Sequence, residues 1–237
     1  MGWRFFSDKL QALMANSERK VMDNSASKPM DSRNNITIPR RIAGTSFNDN
    51  LLNSLNNIAH TRSFLEEGAT VFDLPNYVVP QGYRLMKSCK KNQYRMVTTG
   101  EEPETIYLLE LKLRTDIVFG ETTCTQIKVW RTISHLHRNN IGDLPRIFFI
   151  HLLDNHSIMV TDEEHTRDGQ RFWEIMISWA FYQCYYIYAS DGTLEDRPLT
   201  QIHTESEFFE QWINQLWGRD IDVYTHKLIV ISKHPLL

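Results

Sequence analysis

The chain has 237 residues, 41% hydrophobic and 11% aromatic, which is enough apolar material for one packed domain with an appendage and excludes wholesale disorder. No apolar run of about 18 residues occurs and the opening residues lack a signal-peptide pattern, while Cys89, Cys124 and Cys184 fit neither a disulfide framework nor a zinc cluster, so the expectation is a cytoplasmic chain without a membrane span. The net charge of −3 divides unevenly, +4 through Arg41 and −7 beyond it, and an acidic body grips a phosphate backbone poorly, which argues against a nucleic-acid partner.

In the opening "MGWRFFSDKLQALM", Trp3, Phe6, Leu10, Leu13 and Met14 recur at helical spacing, with Arg4, Asp8, Lys9 and Gln11 on the other side. The pattern predicts an amphipathic helix over 1–14. One reading makes Trp3, Phe6, Leu10 and Leu13 an interfacial anchor, with basic residues facing anionic inner-membrane lipids; the other docks the helix on the body or on a partner. Residues 15–47 are polar and read as a flexible linker, leaving 48–237 as one mixed α/β globular domain.

That domain opens with a predicted helix from Asn48 or Asp49 to near Gly68, burying Leu51, Leu52, Leu55, Ile58, Ala59 and Leu65. The period then changes to two: "GYRLMKS", "NQYRMVTTG" and "TIYLLELKLR", with turn residues at 90–92 and 100–103, predict a three-stranded antiparallel meander. A helix from about Gln126 to His137 follows, with Ile127, Trp130, Ile133 and His137 on one side. Next come strands "RIFFIHLL" and "SIMVTD" joined by a short "DNH" hairpin, and a helix from Arg167 to about Gln183 burying Phe172, Met176, Trp179 and Ala180. The strand "YYIYAS" leads to a helix with a Thr204/Glu207 capping box and a stop at Gly218, and the strand "KLIVIS" closes the series. The fold class is therefore α/β, with α+β as the alternative: a mixed sheet combining an antiparallel meander with a C-terminal β-α-β-α-β segment and right-handed crossovers.

Three constellations could carry chemistry. Glu110 and Lys112 form an E-x-K pair on one strand face, and Gln126-x-x-x-Trp130 on the next predicted helix echoes the exonuclease branch of the PD-(D/E)xK nucleases. The preceding strand, however, has no carboxylate to complete the metal site, and the same letters spell a strand with Leu109, Leu111 and Leu113 inward and Glu110, Lys112 and Arg114 solvated. His151, Asp154 and His156 are metal-ligating types without ligand spacing. In "TDEEHTRDG", Asp162, Glu163, Glu164 and Asp168 sit where a strand hands over to a helix; they would favour a metal or a basic partner surface, or simply complement the helix dipole. Asp162, Glu163 and Glu164, with Trp173 from the aromatic surplus, are the candidate partner-binding residues.

The segments "MGWRFFSDKLQ", "YLLELKL", "LLDNHSIMVTDEEHTRDGQRFW", "RPLT" and "LWG" together resemble the entry-exclusion proteins of I-complex conjugative plasmids and their relatives. That resemblance implies a protein at the cytoplasmic side of the recipient's inner membrane. It would block redundant plasmid transfer by recognising an integral-membrane component of the donor's type IV transfer apparatus, with no catalysis and no cofactor. A metal-dependent nuclease is the enzyme alternative, and a secreted effector or adaptor the third.

Overall fold

The computed structural model describes residues 40–41, 49–160, 164–165, 167–192, 194–216 and 227–236, with backbone only at 40–41, 49–50, 126–128, 159, 164–165, 167–168 and 216. The helix expected at 1–14, with Trp3, Phe6, Leu10 and Leu13, lies outside the described residues, as do Asp162, Glu163 and Gly218. The strands are β1 (Arg40–Arg41), β2 (Ala69–Val71), β3 (Tyr83–Ser88), β4 (Gln93–Thr98), β5 (Thr105–Arg114), β6 (Thr123–Arg131), β7 (Ser157–Val160), β8 (Glu164–His165), β9 (Tyr186–Asp191), β10 (Leu199–Ile202) and β11 (Lys227–Ser232). Nine of them form one mixed sheet in the order β10-β9-β11-β7-β6-β5-β4-β3-β2, and β1 pairs with β8. The α/β class read from the sequence holds.

The meander stands as expected, with Tyr83 opposite Thr98 and Gln93 opposite Glu110, and it is longer than expected because β2 and β6 extend it to five strands. β6 corrects the helix placed over about Gln126–His137: the segment stays extended to Arg131, and the helix α3 (His135–Ile141) starts only afterwards. A bulge explains the misreading. Glu110 pairs with Lys128 and Leu111 with Gln126, so residue 127 stands outside the pairing. The extra residue restores the phase, and Cys124 and Val129, five positions apart, both pack on the main core. No strict period of two survives in the sequence.

"RIFFIHLL" is likewise not a strand but helix α4 (Leu144–Leu153), opened by a proline in its first turn. Its buried residues Leu144, Phe148, Phe149, Leu152 and Leu153 follow the helical period. The run is almost continuously apolar, which periodicity alone cannot assign. "DNH" therefore joins a helix to β7 rather than two strands; the His156 amide donates to the Leu152 carbonyl at 2.8 Å.

From β7 the chain crosses through helix α5 (Arg167–Tyr182) to β9. Both strands run antiparallel to β11, which lies between them, so they are parallel to each other without touching. Among the described residues β6 and β7 are the one directly parallel pair of the nine-stranded sheet, and β10 forms an unanticipated hairpin with β9. The last helix, α6, opens as Glu205–Glu207, widens into a π-helical segment over Phe208–Trp212 and closes as Ile213–Leu216.

One sheet face carries the main core. Phe148 from α4 lies 5.1 Å, centroid to centroid, from Tyr94, and at 6.1 and 6.2 Å from Phe72 and Tyr107. Trp173, Met176, Ile177 and Ala180 from α5, and Phe208 from α6, continue the same cluster.

Candidate functional site

The opposite face is built differently. The helical turn α1 (Asp49–Leu52) ends because Asn53 adopts an extended conformation and caps helix α2 (Ser54–Glu66), its side-chain oxygen accepting from the Asn56 amide at 3.2 Å. The buried side of α2 is Asn57, Ile58, Thr61 and Phe64. Two polar residues go inside because β5 needs them. A bulge between β4 and β5 pairs Val97 with Thr105 and Met96 with Tyr107, and the Thr105 amide there bonds the Asn57 side-chain oxygen at 2.8 Å and the Thr61 hydroxyl at 2.9 Å. The Asn57 amide returns a bond to the Thr105 carbonyl at 3.0 Å. Every polar group of this clamp is satisfied within the protein, which removes the usual cost of burying them.

With Asn57 and Thr61 inward, the helix face expected from the sequence is rotated: Ala59 is exposed, Leu52 is 46% exposed and Leu55 77% exposed. Across from them, the chain leaving β6 turns into α3 and leaves Ile133 and Leu136 at 73% and 82% exposure. A groove of about 310 Å³ lies between these elements. Leu51 and Trp130, which pack with Leu108, lie at its base, Leu52, Ile133 and Leu136 line it, and Ser54, Glu104 and His137 give it a polar end.

That polar end is wired together. The Asn140 amide donates to the Tyr83 hydroxyl at 2.9 Å, and Tyr83 lies 2.9 Å from His137 Nδ1. Which of the two donates follows from the imidazole tautomer, and on its other side His137 Nε2 lies 3.9 Å from Glu104 Oε2. Ser54 donates its hydroxyl to Glu104 Oε1, and the Glu104 amide donates to Thr98 Oγ1 at 2.8 Å. Apart from Trp130, which stood in the nuclease pattern, none of these groove residues was singled out as a site from the sequence. No local signal marked them, because the helical period placed Leu52 inside with Leu51 and Ile58.

Glu110 has a structural partner. It accepts from Gln93 Nε2 at 2.6 Å, and Gln93 in turn accepts from Arg95 Nε at 2.9 Å. Arg95 is buried, with its guanidinium 4.3 Å from the centre of the Phe64 ring. Burial pulls Arg95 down to about 10, against the opposing pull of Glu110 and Glu67. Lys112 is exposed, and Gln126 with Trp130 lies on strand β6 rather than on the helix that the nuclease reading requires. Leu109 and Leu111 are in the core, but Leu113, expected inward, is exposed.

Trp173 corrects the partner-surface expectation: at 5% exposure, edge-on to Phe149 and Phe172, it is a core residue. Glu164 is described only through its backbone, paired with Arg40. His151 packs edge-on to Phe72 at 5.7 Å and Asp154 ion-pairs with Lys233. Among the described residues, no three His, Cys, Asp or Glu side chains converge as a metal site, and no helix is long and apolar enough to cross a membrane. Cys89 and Cys184 are exposed thiols, whereas burial pushes the Cys124 thiol up to about 12.

Compared with known proteins, the chain matches no family model, no curated protein and no solved structure.

Proposed function

We propose that this chain is an interaction protein acting in plasmid exclusion: in a recipient cell it binds an integral-membrane component of a donor's type IV transfer apparatus and blocks redundant conjugative transfer. The observation that supports an interaction role is the groove, where the exposed aliphatic side chains of Leu52, Ile133 and Leu136 stand beside a polar end. Contiguous exposed apolar surface of this kind marks a recognition site, whereas isolated apolar residues do not. The plasmid context is supported by the resemblance of the sequence segments quoted above. The basic amphipathic segment at 1–14 would add attachment to anionic lipids of the inner membrane. The nuclease alternative gains nothing from the geometry, because Glu110 is engaged by Gln93 and Gln126 is on a strand.

The test is a mating assay in recipients that express the chain alone. Transfer of a related I-complex plasmid should fall, and Leu136→Asp should restore it. Normal transfer of several related plasmids into recipients holding abundant folded protein would end the proposal. Deleting residues 1–14 should move the protein from the membrane fraction to the supernatant.

A further inference from the structure

We infer that the groove between α1–α2 and α3 receives an amphipathic helix of a partner protein, one that lays aliphatic side chains between the two ridges and presents a lysine or arginine to Glu104. This rests on reading the chain as an interaction protein, and it names the chemistry that the groove recognises. The shape argument comes first. Leu52 on one side, and Ile133 and Leu136 on the other, flank a concave base that includes Trp130. A helix fills such a trough with side chains at i, i+3 or i+4, and i+7.

The charge argument selects the sign. Among the described residues, Glu104 is the one carboxylate that lines the groove; Arg62 of α2 and Arg138 of α3 do not line it. Arg131 neighbours Tyr107 on the main-core face, away from the groove. Glu104 Oε1 takes the Ser54 hydroxyl, but Oε2 accepts no hydrogen bond among the described residues, since His137 at 3.9 Å is too far. A carboxylate positioned by a neighbouring hydroxyl, with one oxygen open beside apolar walls, suits a cationic head on an aliphatic stem. Glu101 and Glu102, exposed on the same turn, add to the negative potential. A lipid surface fits less well, because the site is concave and its carboxylate would face anionic headgroups.

The experiment pans a phage-displayed library of random peptides of about 16 residues, long enough for roughly four helical turns, against the full chain. Enriched peptides should carry aliphatic residues at helical spacing together with Lys or Arg. They should bind at least about tenfold more weakly to Leu136→Asp and Ile133→Asp, exposed positions whose substitution leaves the fold intact by circular dichroism. Replacing the peptide's cation by Gln should weaken binding to the unmodified protein by about tenfold and leave binding to Glu104→Gln unchanged, a double-mutant cycle that isolates the pair. The inference is overturned if enrichment is equal on Leu136→Asp, or if the peptides are acidic or unpatterned. It is also overturned if Leu136 instead mediates self-association in sedimentation equilibrium, or binding to anionic phospholipid vesicles. A failed mating assay with intact peptide binding would remove plasmid exclusion and leave the groove standing. Exclusion that persists in Leu136→Asp without peptide binding would do the reverse.

Discussion

The two faces of the sheet solve the same packing problem by different means. Under α4 and α5 the cover is apolar and continuous, running from Leu74 through Phe148 to Ile231 as one cluster. The other face holds three separate patches, Phe64 with Met86 and Val97, Leu51 with Leu108 and Trp130, and Ile117 and Val118 with Tyr188, Leu228 and Val230. Buried polar residues Asn57, Thr61, Gln93, Arg95 and Thr105 are interspersed on this side. An uninterrupted core contributes stability through area removed from water. A face clamped by directional bonds fixes geometry and leaves apolar side chains over, which is where the groove arises.

The largest expected effect belongs to the apolar face. Phe148→Ala should cost about 3–5 kcal/mol in denaturant unfolding, because it empties the space between three aromatic rings. A loss below about 1 kcal/mol would mean that face repacks freely, and the contrast would collapse. Asn57→Leu, nearly isosteric and buried, should cost roughly 2–3 kcal/mol, because the Thr105 and Leu51 carbonyls lose the Asn57 amide and the Thr105 amide keeps only Thr61 as acceptor. A neutral outcome would make the clamp dispensable. Cys184 ends α5 in a left-handed conformation, φ 56°, with its amide on Phe181 and the Tyr185 amide on Ala180, the bonding of a Schellman cap. Cys184→Gly should therefore raise stability by about 0.5–1 kcal/mol in the same assay. Leu136→Asp, on the groove wall, should change stability by no more than about 0.5 kcal/mol while abolishing recognition, which separates the function of that face from its fold.

The smallest effect is a pH dependence at the edge of the apolar face. Burial lowers the His151 pKa, with Lys87 and His156 acting in the same direction and Asp154 opposing them. The fold thus favours the neutral ring. The associated stability is present above the ordinary histidine range near pH 6.5 and is lost as pH falls below it, because the unfolded chain then binds the proton more readily. Thermal melts at pH 8 and pH 5 should show a smaller drop for His151→Gln than for the unmodified chain.

Legibility in the sequence follows the same division. β3, β4 and β5 were readable because alternation and turn residues agree, and α5 because its apolar residues keep a helical period. The Thr204 cap was readable too: the Glu207 amide donates to Thr204 Oγ1 at 3.1 Å, although the returning Glu207 carboxylate takes the His203 amide rather than that of Thr204. β6 was hidden by its bulge, and α4 by its unbroken apolar run. The groove was hidden for a deeper reason. Asn57 and Thr61 are inward only because Thr105, far along the chain, supplies their partners, so no local pattern could show that Leu52 and Leu55 face out. Of the expected partner residues, Trp173 went inside because α5 turns that side to Phe149.

The placement of β11 bears on the order in which the molecule can be assembled. It is synthesised after both of its neighbours, yet in the sheet it is the sole link between the β9–β10 hairpin and everything beyond β7. While a ribosome still holds residues 227–232, the meander and β7 can pair, but β9 and β10 remain a detached ribbon with an open edge. Closure of the sheet is thus a late threading of one strand into a prepared slot, joining partners distant in sequence, the kind of step that slows folding and leaves edges exposed meanwhile. A nascent chain stalled short of β11 should therefore remain sensitive to protease between β7 and β10 while its first five sheet strands are already protected.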